Sequence, residues 1–314
     1  MKYISRKILI LIITILFITL LTFLAFHVLP GDPAQLILGT EASPEKVEAL
    51  REQLGTNQPL LRQYTSWISG FARGDFGTSL KYQKPVAELI AGRLPVTLLL
   101  GTMVIVLTLA VGIPLGVFAA RKQGTWIEQG VSLLTMLGVS VPGFFLSILF
   151  MWIFGLVLHF FAPGRFISWE SDPAGCLRFM IWPALAIAVP QTATLVKYIR
   201  ASMIDELRSD YVRTARGNGT PENTVMYRHA LRNAIVSVVP LIGMMIGEIF
   251  SGSIIVEQVF AIPGIGRLLV SSVTSRDFPL TQTLVVYCAL IIVITNFLVD
   301  IVIQLIDPRI RLTE

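Results

Sequence analysis

One stretch of this sequence, Lys197 to Arg232, holds residue types suited to passing force to a partner rather than to breaking a bond. Tyr211-Val212-Arg213-Thr214-Ala215-Arg216 reads as the end of a helix, closed by Gly217-Asn218-Gly219. Thr220-Pro221-Glu222 then opens another, with threonine as N-cap and proline at the first helical position. That second helix carries Val225, Met226, Tyr227 and His229 before Leu231 leads into an apolar run. A short exposed helix showing methionine and aromatic side chains fits a partner's groove. The competing reading is a solvated basic loop, which two glycines, a fresh cap and surface apolar residues all disfavour.

Ionisable residues inside apolar runs are the other candidates, because such groups are costly in hydrocarbon and mark function by default. Glu248 sits centrally in its run, where it suits either a lined passage or a structural hydrogen bond. Asp300 lies near the end of its run, and pairing with a basic loop residue accounts for it. Bond-breaking chemistry finds no foothold. The sequence contains no G-x-x-x-x-G-K-[ST] phosphate loop, no H-E-x-x-H pair and no G-x-S-x-G serine. No basic stretch carries the interleaved aromatics of a nucleic-acid platform. Cys176, Cys288, His27, His159 and His229 are scattered without metal-type spacing and read as packing or interface positions. A proton-driven carrier needs a relay of ionisable groups, and many carriers show internal repeats; neither is present here. The chain is therefore expected to move something, with energy supplied elsewhere.

The elements that position these residues are set by composition. Of 314 residues, 54% are apolar and only 14% charged, against about 25% charged in soluble domains. Spanning helices need about 20 apolar residues. Six runs qualify: Ile8–Val28, Thr97–Ala120, Val131 to Leu158, Phe179–Val196, Ala234–Val256 and Thr281–Ile306. The first is longer than a signal peptide's apolar core and lacks a small-residue cleavage site, so it reads as a retained span. Ser140-Val141-Pro142-Gly143 predicts a break in the third, and Pro114 and Pro190 predict milder bends. With the N-terminus inside, the short inner segments hold 14 lysines and arginines and the short outer loops four. The positive-inside rule then gives an N-in, C-in orientation, and it explains the net charge of +5 without nucleic acid.

The long segment 30–96 is expected outside. Ser43-Pro44 opens a helix there and Gly55 closes it. After Pro59, Leu60, Tyr64, Trp67, Ile68 and Phe71 share one helical face. That face suits the bilayer surface, the bundle's outer mouth or an external partner, and sequence leaves these open. The chain thus divides into a tail and first span (1–29), an extracytoplasmic segment (30–96) and a five-helix core (97–314) containing the loop 197–232.

The inner loop resembles the E-A-A-x-x-x-G element of ABC importer permeases, with Arg213-Thr214-Ala215 and Gly219 in its places. It departs from that consensus toward the D-Y-x-R-T-A-R-A-K-G form of the dipeptide/oligopeptide/nickel branch, with Gly217-Asn218 standing for Ala-Lys. Seven further stretches resemble the same branch in order: Leu29-Pro30-Gly31-Asp32-Pro33, Gly74-Asp75-Phe76-Gly77-Thr78-Ser79, Arg93-Leu94-Pro95-Val96-Thr97-Leu98, Val256-Glu257-Gln258-Val259-Phe260, Pro263-Gly264-Ile265-Gly266, Asp277-Phe278-Pro279 and Asp307-Pro308-Arg309-Ile310-Arg311.

The resemblance implies an all-α polytopic membrane protein of six transmembrane helices, with the bundle of a type I ABC importer permease. It implies a homologous second permease as heterodimer partner, two cytoplasmic ATPase subunits that use ATP and magnesium, and an extracytoplasmic binding protein. The permease itself would bind no cofactor or metal and catalyse nothing. It would lie among the lipids of a bacterial or archaeal cytoplasmic membrane. Asp210, Tyr211, Arg213, Thr214, Ala215, Arg216, Gly219, Glu222 and His229 would couple to the ATPases. The Val256–Gly266 segment would line the outer mouth, its glycines and Pro263 permitting a re-entrant turn. Glu248, Glu257, Phe260, Pro263 and Gly264 become pathway candidates, although both carboxylates suit structural roles equally. Peptides are the broadest cargo expected of this branch, with nickel or metal chelates, glutathione or another small solute as alternatives. An ATP-independent carrier or channel is the rival of a different class.

Overall fold

The computed structural model describes residues 2–28, 33–38 and 42–306. The Leu29–Asp32 stretch of the first motif and Asp307–Arg311 lie outside them. Among the described residues the chain is helical, with one isolated bridge between Thr78 and Pro85. The helices are α1 (Lys2–Val28), α2 (Pro33–Leu38), α3 (Pro44–Leu54), α4 (Leu60–Ala72), α5 (Val86–Arg121), α6 (Trp126–Ser140), α7 (Gly143–Phe150), α8 (Pro173–Leu207), α9 (Asp210–Gly217), α10 (Glu222–Thr224), α11 (Leu231–Val259), α12 (Ile265–Thr274) and α13 (Phe278–Ile306). α7 continues as a π-helical turn over Met151–Val157, and α10 does the same over Val225–Ala230. Among the described residues five helices are long and apolar enough to cross a membrane: α1, α5, α8, α11 with its lead-in, and α13. The broken pair α6 and α7, bent by 91°, is a sixth candidate if its two halves count as one span. Val141 and Pro142 are extended at the break, so the sequence's expectation of a break there is met.

Helix boundaries exceed the apolar runs because amphipathic ends extend each span. α5 begins at Val86, not near Thr97, and runs unbroken through Pro95 and Pro114. Pro85 starts it, its carbonyl accepting from the Glu88 and Leu89 amides. α8 likewise runs unbroken through Pro183 and Pro190. Pro190 leaves the Ala186 carbonyl without its helical donor, and that carbonyl lies against Gly143 at the start of α7. The protein thus covers what lipid would leave unsatisfied.

The chain forms two compact units, Met1–Pro95 with Leu268–Val293, and Val96–Arg267 with Ile294–Glu314. In the second unit α8 is the central helix, with Met180, Ala184, Leu195, Ile199 and Met203 fully enclosed. Gly112 and Gly116 bring α5 against Leu195 and Ile199 of α8, and Gly138 brings α6 against Ala193. A Cβ at any of the three would collide with those side chains, so the helices meet almost backbone to side chain, as small residues allow in membranes. At one end, Phe154, Phe160, Phe161, Phe179 and Phe260 pack around Trp182 and one another.

In the first unit two stretches 198 residues apart meet. Ser79 donates to the buried Asp277 carboxylate at 2.5 Å, and the Lys81 amide donates to the same oxygen at 3.1 Å. The Asp277 carbonyl in turn accepts from the Thr281 amide in the first turn of α13. Gly74 and Gly77 take positive φ in the turn that delivers Ser79. The helix expected after Ser43 is α3, closed by Gly55 in the left-handed conformation. α4 follows Pro59 as expected, and its Tyr64 and Trp67 pack against Phe23 of α1.

Candidate functional site

The 197–232 element is built from a helix end, a left-handed glycine and a short second helix. α9 closes with Gly219 at φ +77°, while the Thr220 amide reaches back to the Ala215 carbonyl at 3.1 Å. This back-bonding satisfies carbonyls that a helix end leaves open. Gly217, by contrast, is the last helical residue of α9. The next helix starts one residue later than expected. Pro221, not Thr220, is the capping residue, because its ψ of 140° is extended while its carbonyl accepts the first amides of α10.

The second helix also turns differently from the sequence expectation. Val225 and Met226 are buried, and Met226 packs among Ile199, Met203 and Ala230. Met226 is therefore an anchor and not a displayed side chain. Glu222, Asn223, Tyr227 and Arg228 are exposed, with Tyr227 56% accessible. The π-helical turn over Val225–Ala230 widens the helix, which alters the side-chain phase that a 3.6-residue reading assumes. His229 is half-buried in the same turn.

Arg216 bridges the hinge. Its Nε and Nη2 donate to the two carboxylate oxygens of Glu222 at 3.1 and 2.7 Å. That paired geometry holds the guanidinium's pKa above its ordinary value. Tyr211 donates to Glu206 at 2.5 Å, and its phenol pKa is pushed up by burial first and by that carboxylate second. Val212 is buried beneath them, and Thr214 donates to the Asp210 carbonyl at 3.0 Å. Arg213 and Asp210 pair at 3.4 Å but are exposed, so this pair contributes little. Ala215 is half-buried. Since Arg216 and Glu222 are both partly exposed, Arg216→Ala should lower any activity that depends on this loop by no more than about fivefold. The reversed pair Arg216→Glu with Glu222→Arg should recover most of it in a double-mutant cycle.

A second contact, at the start of α6, has no counterpart in the sequence reading. Glu128, in the first turn of α6, accepts from Arg200 of α8 and from the Gly124 amide at 2.6 Å. Thr125-Trp126-Ile127-Glu128 has capping-box spacing, which was the available signal. The carboxylate instead reaches back to the turn and across to α8.

The two carboxylates proposed from sequence sit in opposite environments. Glu257 is fully enclosed, accepting from Thr97 Oγ1 at 2.7 Å and the Arg267 amide at 3.0 Å. Thr97 Oγ1 accepts in turn from the Ile265 amide at 2.8 Å. A Cβ at Gly264 would collide with the Glu257 carboxylate, and one at Gly266 with the backbone of Ile254. Residues 260–264 thus form a tight turn between α11 and α12, with Phe260 buried and Ala261 at φ +55°. Pro263 lies in this turn and is half-buried.

Glu248 is exposed and accepts from Gln191 at 3.2 Å. It belongs to an exposed stripe along α11 formed by Ser237, Pro240, Met244, Glu248, Ser251 and Ile255. The three- and four-residue steps put these side chains on one helical face. A stripe holding a carboxylate and two serines is unsuited to lipid. Asp300 is half-buried, away from this stripe's carboxylate in sequence. Among the described residues no group of three or more His, Cys, Asp or Glu could hold a metal ion.

The described residues thus combine long apolar helices, one sharply broken pair, a polar stripe and a glycine-hinged loop. Two family models cover the chain: "Binding-protein-dependent transport system inner membrane component" matches residues 112–312, and the N-terminal model of that membrane component matches residues 1–101. The chain belongs to this family. A Brucella abortus protein provisionally named as a peptide transport system permease is 41% identical over 296 residues, covering 94% of each chain. The oligopeptide transport system permease protein AppB of Bacillus subtilis is 36% identical, covering 98% of this chain and 99% of that one. The glutathione transport system permease protein GsiC of Escherichia coli K12 is 37% identical, covering 99% of each. The chain is a multi-pass protein of the cytoplasmic membrane, a permease component whose ATP hydrolysis resides in separate subunits. An ATPase and a substrate-binding protein are its partners by family.

Proposed function

We propose that this chain is the permease through which peptides enter the cell, paired with a homologous second permease and driven by two ATPases. The observation that carries the reading is the inner element, in which Tyr227 and Arg228 are presented on a helix rooted by Met226 and hinged at Gly219. The ATPases, using ATP and magnesium, grip α9 and the α10 turn; no cofactor is held by the permease. The lysine and arginine distribution supports an orientation with both termini inside. Peptide cargo is supported by the names of the relatives, two of which belong to peptide or oligopeptide systems and one to glutathione, itself a small peptide. The chain divides this labour in three: an outer segment meets the binding protein, spans pass the cargo, and the inner loop receives the drive.

The passage runs along the exposed α11 stripe, where Glu248 and Gln191 present the polar groups. Glu257, Phe260, Pro263 and Gly264 shape the wall of the outer mouth through the turn they build. The test is reconstitution of the full transporter in proteoliposomes, with ATP inside and labelled di- and oligopeptides, glutathione or nickel outside. ATP-dependent peptide uptake is expected, and Glu248→Gln should lower it several-fold while leaving assembly intact. Uptake by the chain alone on an ion gradient, or uptake of nickel without peptide, would overturn the reading.

A further inference from the structure

α4 lies beside the candidate membrane span of α1. The candidate span in α1 runs from Arg6 to His27. Tyr64 of α4 donates to the Leu16 carbonyl at 3.3 Å, and its hydroxyl lies 3.0 Å from Thr19 Oγ1. Leu16 is 11 residues inboard of His27, or about 16 Å along the helix axis at 1.5 Å per residue. The hydrocarbon core is about 30 Å thick, so the Tyr64 hydroxyl reaches its middle depth. Higher up, the Phe23 ring meets Tyr64 at 5.4 Å and Trp67 at 6.0 Å, and Gln63 meets His27 at 3.0 Å. α4 is therefore docked against the outer half of a spanning helix, below the level at which an external helix in water would sit.

Its faces agree with that depth. Arg62, Thr65, Ser66 and Ser69 are exposed on one side. Leu61, 75% accessible, lies on the flank between that side and the surface covered by α1, close in helical phase to Ile68. From Gln63 to Ala72 the helix carries no charged residue. Tyrosine and tryptophan are the residues that settle at membrane interfaces, and a helix polar on one side and apolar on the other lies in the interface plane.

We propose that α4 is immersed in the outer leaflet, with the Leu61 flank in acyl chains and the Ser66 side among headgroups. Lipid is its partner, which removes this helix from the surface open to an external binding protein. The inference depends on α1 crossing the membrane and not on the identity of the cargo.

The assembled transporter, reconstituted in phospholipid vesicles, provides the test. A phospholipid carrying a photoreactive diazirine in its acyl chain should crosslink to peptides from 60–72 and spare those from 44–54. In parallel, Leu61→Cys should react with a membrane-impermeant maleimide at least tenfold more slowly than Ser66→Cys or Glu45→Cys. Reading the products peptide by peptide leaves native Cys176 and Cys288 in place. Reaction of Leu61→Cys at the rate of Glu45→Cys overturns the proposal and puts α4 in water. A slow Leu61→Cys without lipid crosslinks also overturns it and assigns the face to a protein.

Discussion

Replacing Gly219 with valine is expected to cut ATP-driven uptake at least about tenfold while leaving the permease in the membrane and bound to its partners. The reason is conformational. Gly219 holds φ +77°, where a β-branched residue is strained by about 1–3 kcal/mol, and 1.4 kcal/mol is a tenfold effect. Nothing lies within 4 Å of a Cβ built there, so the penalty is backbone strain and not a clash. The chain relieves it by reorienting Thr220 and Pro221, which moves the exposed Tyr227 side relative to α9. Asparagine tolerates the left-handed region better than other side chains, so Gly219→Asn should retain more uptake than valine. Gly217→Ala is the control. Gly217 is helical with open space around it, and alanine there should match or exceed the native chain. Uptake and ATPase activity measured together decide the matter; a fully coupled Gly219→Val transporter would show that the hinge is dispensable.

The second large effect is expected at the opposite end of α11. Glu257→Ala should leave the transporter poorly folded, with a lower thermal midpoint and a smaller monodisperse fraction in detergent. Removing the carboxylate orphans the Thr97 hydroxyl and the Arg267 amide, at about 1–3 kcal/mol for each buried donor without an acceptor. It also empties a space that Gly264 and Gly266 are shaped to wrap. Glu257→Gln should fall between, because an amide keeps one acceptor and turns a donor toward the other partner. A thermal midpoint unchanged in Glu257→Ala would contradict the anchoring role.

Much of the scaffold was legible because hydrocarbon imposes a length and an apolar composition on any helix that crosses it. The break at Val141-Pro142 was readable for the same local reason: proline and glycine act on their own backbone. What escaped was of two kinds. Glu128 with Arg200, Glu257 with Thr97, and Ser79 with Asp277 join residues 72, 160 and 198 positions apart, and one sequence holds no signal for such pairings. Met226 escaped because a short loop helix reads as exposed on all sides, while this one lies against α8 with Met226 beside Ile199 and Met203. Tyr227 is exposed, as a displayed aromatic on a short loop helix would be. The polar stripe on α11 needed exposure to be seen. Met244 and Ile255 are apolar, and only their alignment with Glu248 and Ser251 marks the face.

The seam at Gly112, Gly116 and Gly138 has a mechanical meaning. Contacts there are van der Waals contacts between closely set helices, the glycines lying directly against the Leu195, Ile199 and Ala193 side chains with no side chain of their own between. α5, α6 and α8 are in that sense one shaft. Met226, rooted against Ile199 and Met203 on α8, ties the inner helix directly to it. On the proposed function, a push on Tyr227 would be carried along the shaft with little lost to compliance, and widening any of the three glycines would act as slack between the drive and the passage.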